Sequence, residues 1–241
     1  MRNVLATEVR SRRRSLPSPS GSCSNENESR RETVVSADSN GARRHLERSF
    51  FARDSILVAP DLLNLLLVGR GAIGRIVEVE AYAGSRDAAS HAYRGQTPRN
   101  ATMFGPPGHL YVYLTYGMHF CANVVCGVEG EAFAVLLRAL APVEGIDLMR
   151  SRRPKARSDR ELCSGPARLC QALGITRADD GADLVTSGST LSLVSDGVAP
   201  GKAVVGTRIG LSSRVGDAAA LAWRFAVPGD PNVSRPAPRG D

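Results

Sequence analysis

The sequence predicts an α+β fold: a single mixed domain with a curved, mostly antiparallel β-sheet and flanking helices. Short strand-like segments follow one another along most of the chain, and helix-like segments are few. No regular alternation of strands and helices and no internal repeat occurs, which argues against a parallel sheet. A chain of 241 residues with 42% hydrophobic residues is large enough to bury one core.

Residues 1–45 predict a disordered tail that precedes a domain spanning 46–241. The segment is rich in Arg, Ser, Asn and Glu and has almost no aromatic residues. Such a composition cannot bury enough apolar surface to offset the entropy lost on ordering.

The first half of the predicted domain contains one helix and two strands. An apolar run ending at glycine predicts a helix over Val58–Gly69. Period-two alternation predicts a strand over Ile76–Tyr82, and a second strand is expected over His109–Gly117.

The second half continues with a strand, two helices and several short strands. Ala132–Leu140 predicts the strand, and Val143–Arg153, after Pro142, predicts a helix with a basic end. Ser164–Ile175 predicts another helix, with Ser164 as its N-cap and a proline in its first turn. The remaining strands are punctuated by glycine and close on Leu221–Val227.

The charge balance favours an anionic partner such as nucleic acid. The formal net charge is +7, and only Lys155 and Lys202 of the 31 basic residues are lysine. A solvated basic surface explains the charge equally well, so charge alone leaves both interpretations open.

The cysteines and the hydropathy pattern exclude several classes of protein. The five cysteines are odd in number and form no CxxC pair, which argues against a disulfide framework or a zinc knuckle. No apolar run approaches the ~20 residues that cross a bilayer, and the N-terminus has no apolar core of a secretory signal. We therefore expect reduced thiols, no membrane association and an intracellular location, cytoplasmic and nucleoid-associated or nuclear.

Gly69, Gly71 and Gly74 spell GxGxxG in the wrong context for a dinucleotide site. That fingerprint follows a strand and opens a helix, whereas here a strand follows it. The glycines therefore predict a turn.

Two carboxylates stand on the predicted strand Ile76–Tyr82. Alternation places Ile76, Glu78, Glu80 and Tyr82 on one face, with the carboxylates about 7 Å apart. One carboxylate could orient a water as general base while the other fixes a neighbouring arginine. An exposed strand face with ordinary acids is the alternative.

All five tyrosines lie between Tyr82 and Tyr116. Tyr116 stands at a turn before a glycine, where its ring must project and could wedge between base pairs or stack on a base. Arg99, in the polar turn Gln96–Asn100, suits phosphate contact. His91, His109 and His119 match no zinc spacing, so we expect no metal.

Long blocks of residues 50–230 resemble the alkyladenine (3-methyladenine) DNA glycosylase family of base-excision repair. The most specific blocks are VEVEAY, SHAYRGQTPRN, MFGPPGHLYVYLTYGMHFCANVV, VLLRALAPVEG and ELCSGPARLCQALGI. The resemblance implies a domain that flips a damaged purine out of duplex DNA, because a stacked base cannot be attacked at its glycosidic bond.

The resemblance also implies roles for individual residues. Tyr116 matches the wedge that fills the gap left by the flipped base, and Met118 packs beside it. Tyr82, His91 and Tyr113 match residues that line the base pocket, and Asn123 matches one that discriminates against the guanine amino group.

The implied chemistry is hydrolysis through an oxocarbenium-like transition state. Glu80 matches the general base that activates water, Arg138 an arginine beside that water and the target phosphate, and Ile209 a residue lending a backbone carbonyl. Neither lysine falls in these blocks, so a monofunctional enzyme without cofactor or metal is implied. The expected partner is double-stranded DNA with a damaged purine, bound by a monomer.

Some positions depart from the family pattern, and other functions stay open. His119 replaces a tyrosine of some members, Asn232 a common aromatic residue, and Asn64 a more usual glycine. These departures leave open which of 3-methyladenine, 7-methylguanine, hypoxanthine and ethenoadenine is preferred. The alternatives are a damaged-DNA-binding module without catalysis and an RNA or nucleotide hydrolase. Glu80 speaks against the module, because a carboxylate facing phosphates weakens binding.

Overall fold

A nine-stranded sheet forms the centre of residues 43–235, the part of the chain that the computed structural model describes. Adjacent strands pair antiparallel in the order β1-β7-β2-β3-β6-β5-β4, and β9 pairs with both β3 and β8. The strands are β1 Arg44–His45, β2 Leu66–Gly69, β3 Ala72–Ala83, β4 Leu110–Thr115, β5 His119–Cys126, β6 Phe133–Glu144, β7 Leu191–Ser195, β8 Val204–Gly206 and β9 Arg224–Ala226. The predicted α+β class is confirmed.

Short helices flank this sheet. They are α1 Arg48–Phe51, α2 Ser55–Asp61, α3 Ile146–Arg152, α4 Arg160–Cys163 and α5 Pro166–Leu173, with 3-10 helices at Gly84–Arg86, Ala101–Phe104, Arg177–Asp179 and Ser213–Ala220. Helix α2 packs on β3 and β6, and α5 packs on β5 and β6. The main core therefore lies between these helices and one face of the sheet.

The four predicted strands are confirmed, with β3 and β6 extending beyond the predicted ends and β4 and β9 shorter than predicted. Ile76–Tyr82 lies inside β3, His109–Gly117 contains β4, Ala132–Leu140 overlaps β6 and Leu221–Val227 contains β9. Strand β5 was not predicted. The tight β2–β3 hairpin turns at Arg70 and Gly71, between Gly69 at the end of β2 and Gly74 inside β3, so the predicted turn is confirmed.

The predicted helix Val58–Gly69 is wrong in its second half. Helix α2 ends at Asp61, Asn64 adopts a left-handed conformation at φ 69°, and the chain then enters β2. The leucine run satisfies a helix or a buried strand equally well, and pairing of β2 with β3 and β7 decides for the strand.

Two other helix starts were also misplaced. Strand β6 continues through Glu144, so α3 begins only at Ile146, after Gly145 at φ 70°. A Cβ at Gly145 would lie 2.2 Å from the Gly71 carbonyl oxygen, so this close approach requires glycine. Gly165, not Ser164, is the N-cap of α5, because Ser164 forms a β-bridge to Ala139. The predicted proline in the first turn is confirmed.

The two strands that carry the buried charges are locally irregular. The register between β3 and β6 is interrupted between Ile76 and Val79. Ile76 consequently packs in the same hydrophobic cluster as Val79 and Ala81, and its predicted place on the carboxylate face is wrong. Glu78 and Glu80 are fully buried, so the alternative of an exposed acidic strand face is also wrong.

Most of the predicted tail lies outside the described residues. Of its last three residues, Arg44 and His45 pair with β7 and so belong to the sheet. Cys23 also lies outside, and the cysteines within residues 43–235 are buried and free. In the same span no helix is long and apolar enough to cross a membrane.

Candidate active site

A cavity of about 390 Å³ opens on the face of the sheet opposite the main core. Its size lies within the usual range for small-molecule sites. Strand β3 contributes Tyr82, the β4–β5 hairpin contributes most of the rings, and β6 contributes Arg138. Seven of the predicted site residues line it: Tyr82, His91, Tyr113, Tyr116, Asn123, Arg138 and Ile209.

Glu80 lies directly behind this lining, with no exposed surface. Its Oε1 accepts hydrogen bonds from the Ile209 backbone N–H at 2.7 Å and faces Arg138 Nη1 at 3.2 Å. Its Oε2 accepts a 2.9 Å hydrogen bond from the Tyr82 hydroxyl. Burial raises the pKa of Glu80, and these three donors moderate the increase by favouring the carboxylate. Glu80 is thus a buried carboxylate with raised basicity, which suits it to accept a proton.

Arg138 joins Glu80 to the second carboxylate. Its Nε faces Glu78 Oε1 at 3.2 Å, and Arg224 Nη1 contacts the same oxygen at 3.1 Å. The negative charges of two carboxylates therefore offset the positive charges of two guanidinium groups in a nearly solvent-free cluster. Glu80 lies behind the cavity lining and Glu78 lies beside it, and both carboxylates contact Arg138.

The walls of the cavity are aromatic. The His91 ring meets Tyr113 edge-on with 4.4 Å between centroids, and Tyr111 stacks on Tyr113 at 5.6 Å. His91 Nδ1 lies 3.1 Å from the Tyr111 hydroxyl. Burial, together with Arg99, lowers the pKa of His91, so the ring is uncharged at neutral pH. A flat, neutral or cationic ring system fits between such walls.

Tyr82 is held from behind by a buried arginine. The Arg208 guanidinium carbon lies 4.7 Å from the Tyr82 ring centroid and 5.0 Å from that of Trp223. Arg208 forms a bidentate ion pair with Asp87, Nη2 to Oδ1 at 2.9 Å, and both side chains are fully buried. Ile209 follows Arg208 directly in the chain. The Arg208–Asp87 ion pair therefore fixes both the Tyr82 ring and the Ile209 backbone N–H that donates to Glu80.

The rim of the cavity carries Tyr116, a residue with an exposed ring and a strained backbone. Tyr116 is 85% exposed and Met118 is 71% exposed, in the three-residue turn that joins β4 and β5. Tyr116 has φ 49°, a conformation that costs a bulky residue free energy and that clusters at functional sites. The side chain thus projects beside the cavity mouth, as the sequence predicted.

The other predicted residues lie around this centre. Asn123 is buried in the cavity wall, where its Nδ2 donates to the Tyr111 carbonyl at 3.3 Å. Arg99 is exposed and does not line the cavity, but its guanidinium carbon lies 5.9 Å from the Tyr113 ring centroid. Met118 does not line the cavity either. The structure therefore gathers all the predicted residues at the cavity, its rim or its base.

Several lining and supporting residues were missed. Tyr111 lines the cavity and shares a strand face with Tyr113 in the sequence, so alternation could have identified it. Cys121 lines the cavity on β5, the strand that was not predicted. Arg208, Asp87, Arg224 and Ser234 carry no local signal, because their partners lie far away in sequence.

The protein-family comparison matches the model of Methylpurine-DNA glycosylase (MPG) over residues 49–231. That span contains all the residues of the cavity lining and the Glu80–Arg138 ion pair.

Curated relatives match along nearly their whole length. A protein of Burkholderia lata is 56% identical over 196 residues, covering 80% of this chain and 93% of the relative. A Streptomyces avermitilis protein is 52% identical over 198 residues, covering 80% and 92%. A Methanocella arvoryzae protein is 49% identical over 198 residues, covering 80% and 97%. Each of the three bears the name "Putative 3-methyladenine DNA glycosylase".

Proposed function

The chain belongs to the methylpurine-DNA glycosylase family, and on that premise we propose that it excises damaged purines from duplex DNA in base-excision repair. The observation that carries the proposal is the position of Glu80. A buried carboxylate of raised basicity, held by an arginine and a tyrosine, stands at the base of an aromatic cavity with an exposed ring at its rim. A module that only binds DNA has no use for such a group.

The cavity would receive the flipped purine between Tyr82 and the His91–Tyr113 pair. Stacking on aromatic rings contributes about 1–3 kcal/mol per base, and an alkylated, electron-poor purine gains a cation–π contribution. Asn123 in the wall would disfavour, without excluding, the exocyclic amino group of guanine, so 7-methylguanine would bind less well than the other lesions. Substrates of this pocket would be 3-methyladenine, 7-methylguanine, hypoxanthine and ethenoadenine.

Tyr116 would occupy the space that the flipped base leaves in the duplex. Its 85% exposed ring has no large packing role in the free protein, so insertion costs little beyond unstacking the DNA. Met118 beside it would contact the neighbouring base pair. Arg99, exposed on the same rim, would bind a phosphate and set the register on the duplex.

The chemistry would be hydrolysis of the N-glycosidic bond. Glu80 takes a proton from a water molecule that attacks C1′ of the sugar, and the bond to the purine breaks with its electron pair leaving on the base. The Glu80 carboxylate also stabilises the positive charge that develops on the sugar. Arg138 would hold the water and the target phosphate, and the Ile209 carbonyl would accept a hydrogen bond from the same water.

The product would be an abasic site with an intact strand. A glycosylase that also cleaves the strand commonly forms a Schiff base through an amine. Lys155 and Lys202 are the lysines of the chain, and neither lines the cavity. We therefore propose a monofunctional enzyme that acts as a monomer on double-stranded DNA, with no cofactor required.

The test is base release from defined duplexes, followed with and without alkali. Purified protein is incubated with duplexes that contain hypoxanthine, ethenoadenine or an alkylated purine. We expect the damaged base to be released and the strand to break only after alkali. Tight lesion binding without release would indicate a damage-recognition module instead. Strand breakage before alkali treatment would contradict monofunctional chemistry.

A further inference from the structure

The chain returns to the buried charge cluster close to its C-terminal end, at Ser234. Its backbone N–H donates a 2.6 Å hydrogen bond to Glu78 Oε2. Its hydroxyl oxygen accepts a hydrogen bond from Arg138 Nη2 at 3.1 Å. A single residue thus contacts both the arginine at the base of the cavity and the carboxylate that fixes it.

Ser234 provides the partner of the third guanidinium nitrogen of Arg138. The three nitrogens of that guanidinium face three partners: Nε faces Glu78, Nη1 faces Glu80, and Nη2 donates to Ser234. A planar guanidinium bound at all three nitrogens has no freedom to rotate about its long axis. Without the Ser234 hydroxyl, one N–H group of a nearly buried cation would lack its partner.

We propose that Ser234 is a positioning residue, which fixes the Arg138 guanidinium in the orientation that glycosidic bond hydrolysis requires. The inference rests on the proposed function and extends it to a residue that neither touches the substrate nor lines the cavity. Ser234 acts through Arg138, which holds both Glu80 and the space where water attacks.

The preceding turn brings Ser234 to this place. Asn232 donates its backbone N–H to Asp230 Oδ1 at 2.7 Å and its side-chain amide to the same oxygen at 2.9 Å. This closed turn redirects the chain after β9, so that Ser234 meets the end of Glu78. Arg224 of β9 binds the other Glu78 oxygen, Oε1, and donates to the Arg235 carbonyl at 3.4 Å, which ties the turn and the charge cluster together.

The position of Ser234 predicts an effect on the chemical step and not on lesion affinity. The residues that would stack on the base lie on the cavity side of Arg138, whereas Ser234 lies behind it. Loosening of Arg138 should therefore slow bond cleavage while the lesion binds as before. The groups around Glu80 are Arg138, Tyr82, the Ile209 N–H, Glu78, Tyr113 and Cys121. Of these, only Arg138 is bound by the Ser234 hydroxyl within the described residues.

The experiment compares Ser234→Ala, Ser234→Thr and wild type in single-turnover release of hypoxanthine from a duplex. Ser234→Ala keeps the backbone N–H to Glu78 and removes only the hydroxyl, and Ser234→Thr restores it. Ser151→Ala is the matched control, because that exposed serine bonds only the Leu148 carbonyl in its own helix. Lesion-duplex affinity, melting temperature and the rate as a function of pH are measured for each.

We expect Ser234→Ala to release the base about tenfold more slowly, as the loss of a hydrogen bond to a charged group predicts. Its lesion affinity should match wild type, and Ser234→Thr should recover most of the rate. The acid limb of its pH profile should move to higher pH, since a loosened Arg138 favours the Glu80 carboxylate less.

Two results would overturn the assignment. One is a wild-type rate for Ser234→Ala, and the other is a loss of rate that Ser234→Thr does not recover and that follows a loss of melting temperature. If wild type itself releases no base from any lesion duplex, the proposed function fails, and this outcome is distinct from a failure of Ser234 alone.

Discussion

The Tyr82 hydroxyl donates a 2.9 Å hydrogen bond to Glu80 Oε2, across two positions of the same strand. The ring that lines the cavity and the carboxylate beneath it are therefore one unit. The irregular register of β3 and β6 makes this possible, because it turns both groups away from the main core.

Removing this hydroxyl should shift the pH dependence of base release. Burial raises the pKa of Glu80, and the hydrogen bond from Tyr82 opposes that increase. Release requires the carboxylate, so the rate falls as pH drops through the Glu80 pKa. In Tyr82→Phe the opposing contribution is lost, and the acid limb should move to higher pH. Single-turnover rates on a hypoxanthine duplex at a series of pH values test this, and an acid limb that moves to lower pH would contradict it.

Replacing Tyr116 should separate stability from DNA binding. Tyr116 adopts a left-handed conformation that costs tyrosine free energy but not glycine, whereas glycine loses more backbone entropy on folding, so Tyr116→Gly should change the free energy of unfolding by no more than about 1 kcal/mol. Lesion-duplex affinity should nevertheless fall about tenfold, as expected for loss of a stacking ring. The matched control is Tyr93→Gly, which removes another exposed tyrosine from the same block. Unchanged affinity in Tyr116→Gly would refute its role as the wedge.

Replacing Arg99 should have two independent effects, one on the pKa of His91 and one on the salt dependence of DNA affinity. Its positive charge lowers the pKa of His91, so Arg99→Gln should raise the pKa of that ring in an NMR titration. If Arg99 also binds a phosphate, the slope of log affinity against log salt should decrease by about one. Arg94→Gln removes a neighbouring exposed arginine and should leave the His91 pKa as it is. A phosphate role is excluded if the salt slope does not change.

Breaking the buried Arg208–Asp87 ion pair behind Tyr82 should lower the free energy of unfolding. Arg208→Met leaves the Asp87 carboxylate buried without its partner, and we expect a loss of about 3–5 kcal/mol in the free energy of unfolding. Adding Asp87→Asn removes the stranded charge and should recover more than half of that loss. Urea denaturation of both single variants and the double variant gives the free energies of unfolding for a double-mutant cycle. Strictly additive losses would mean that the two side chains do not stabilise each other.

The sequence predicts those strands and site residues that depend on a local residue pattern. Alternation identified β3, and the aromatic block and the resemblance together identified the cavity residues that the structure gathers. The leucines of Leu66–Gly69 were assigned to a helix because their apolar run fits either element, and only pairing with β7 distinguishes them. Ile76 was placed on the wrong face, because a register interruption cannot be read from alternation.

The supporting charges could not be predicted for a different reason. Arg208 meets Asp87 across 121 positions, and Ser234 meets Glu78 across 156. Neither pair has a characteristic spacing, since the sheet topology alone brings the partners together. The sequence therefore indicates which groups line the cavity far better than it indicates which groups hold them in place.

The most direct test of the account is single-turnover base release by wild type and Glu80→Gln, with EDTA present. Glutamine keeps the size of the side chain and removes the charge that burial disfavours. The raised pKa of Glu80 means that its charged form costs stability as the pH rises from the unfolded to the folded pKa, but Glu80→Gln also removes a partner from the buried Arg138 guanidinium, so the melting temperature of the variant at neutral pH is measured as a control. We predict release of a lesion base by wild type, at least 10³-fold slower release by the variant, and equal lesion affinity. Release by Glu80→Gln at a rate near wild type would show that Glu80 is not the general base.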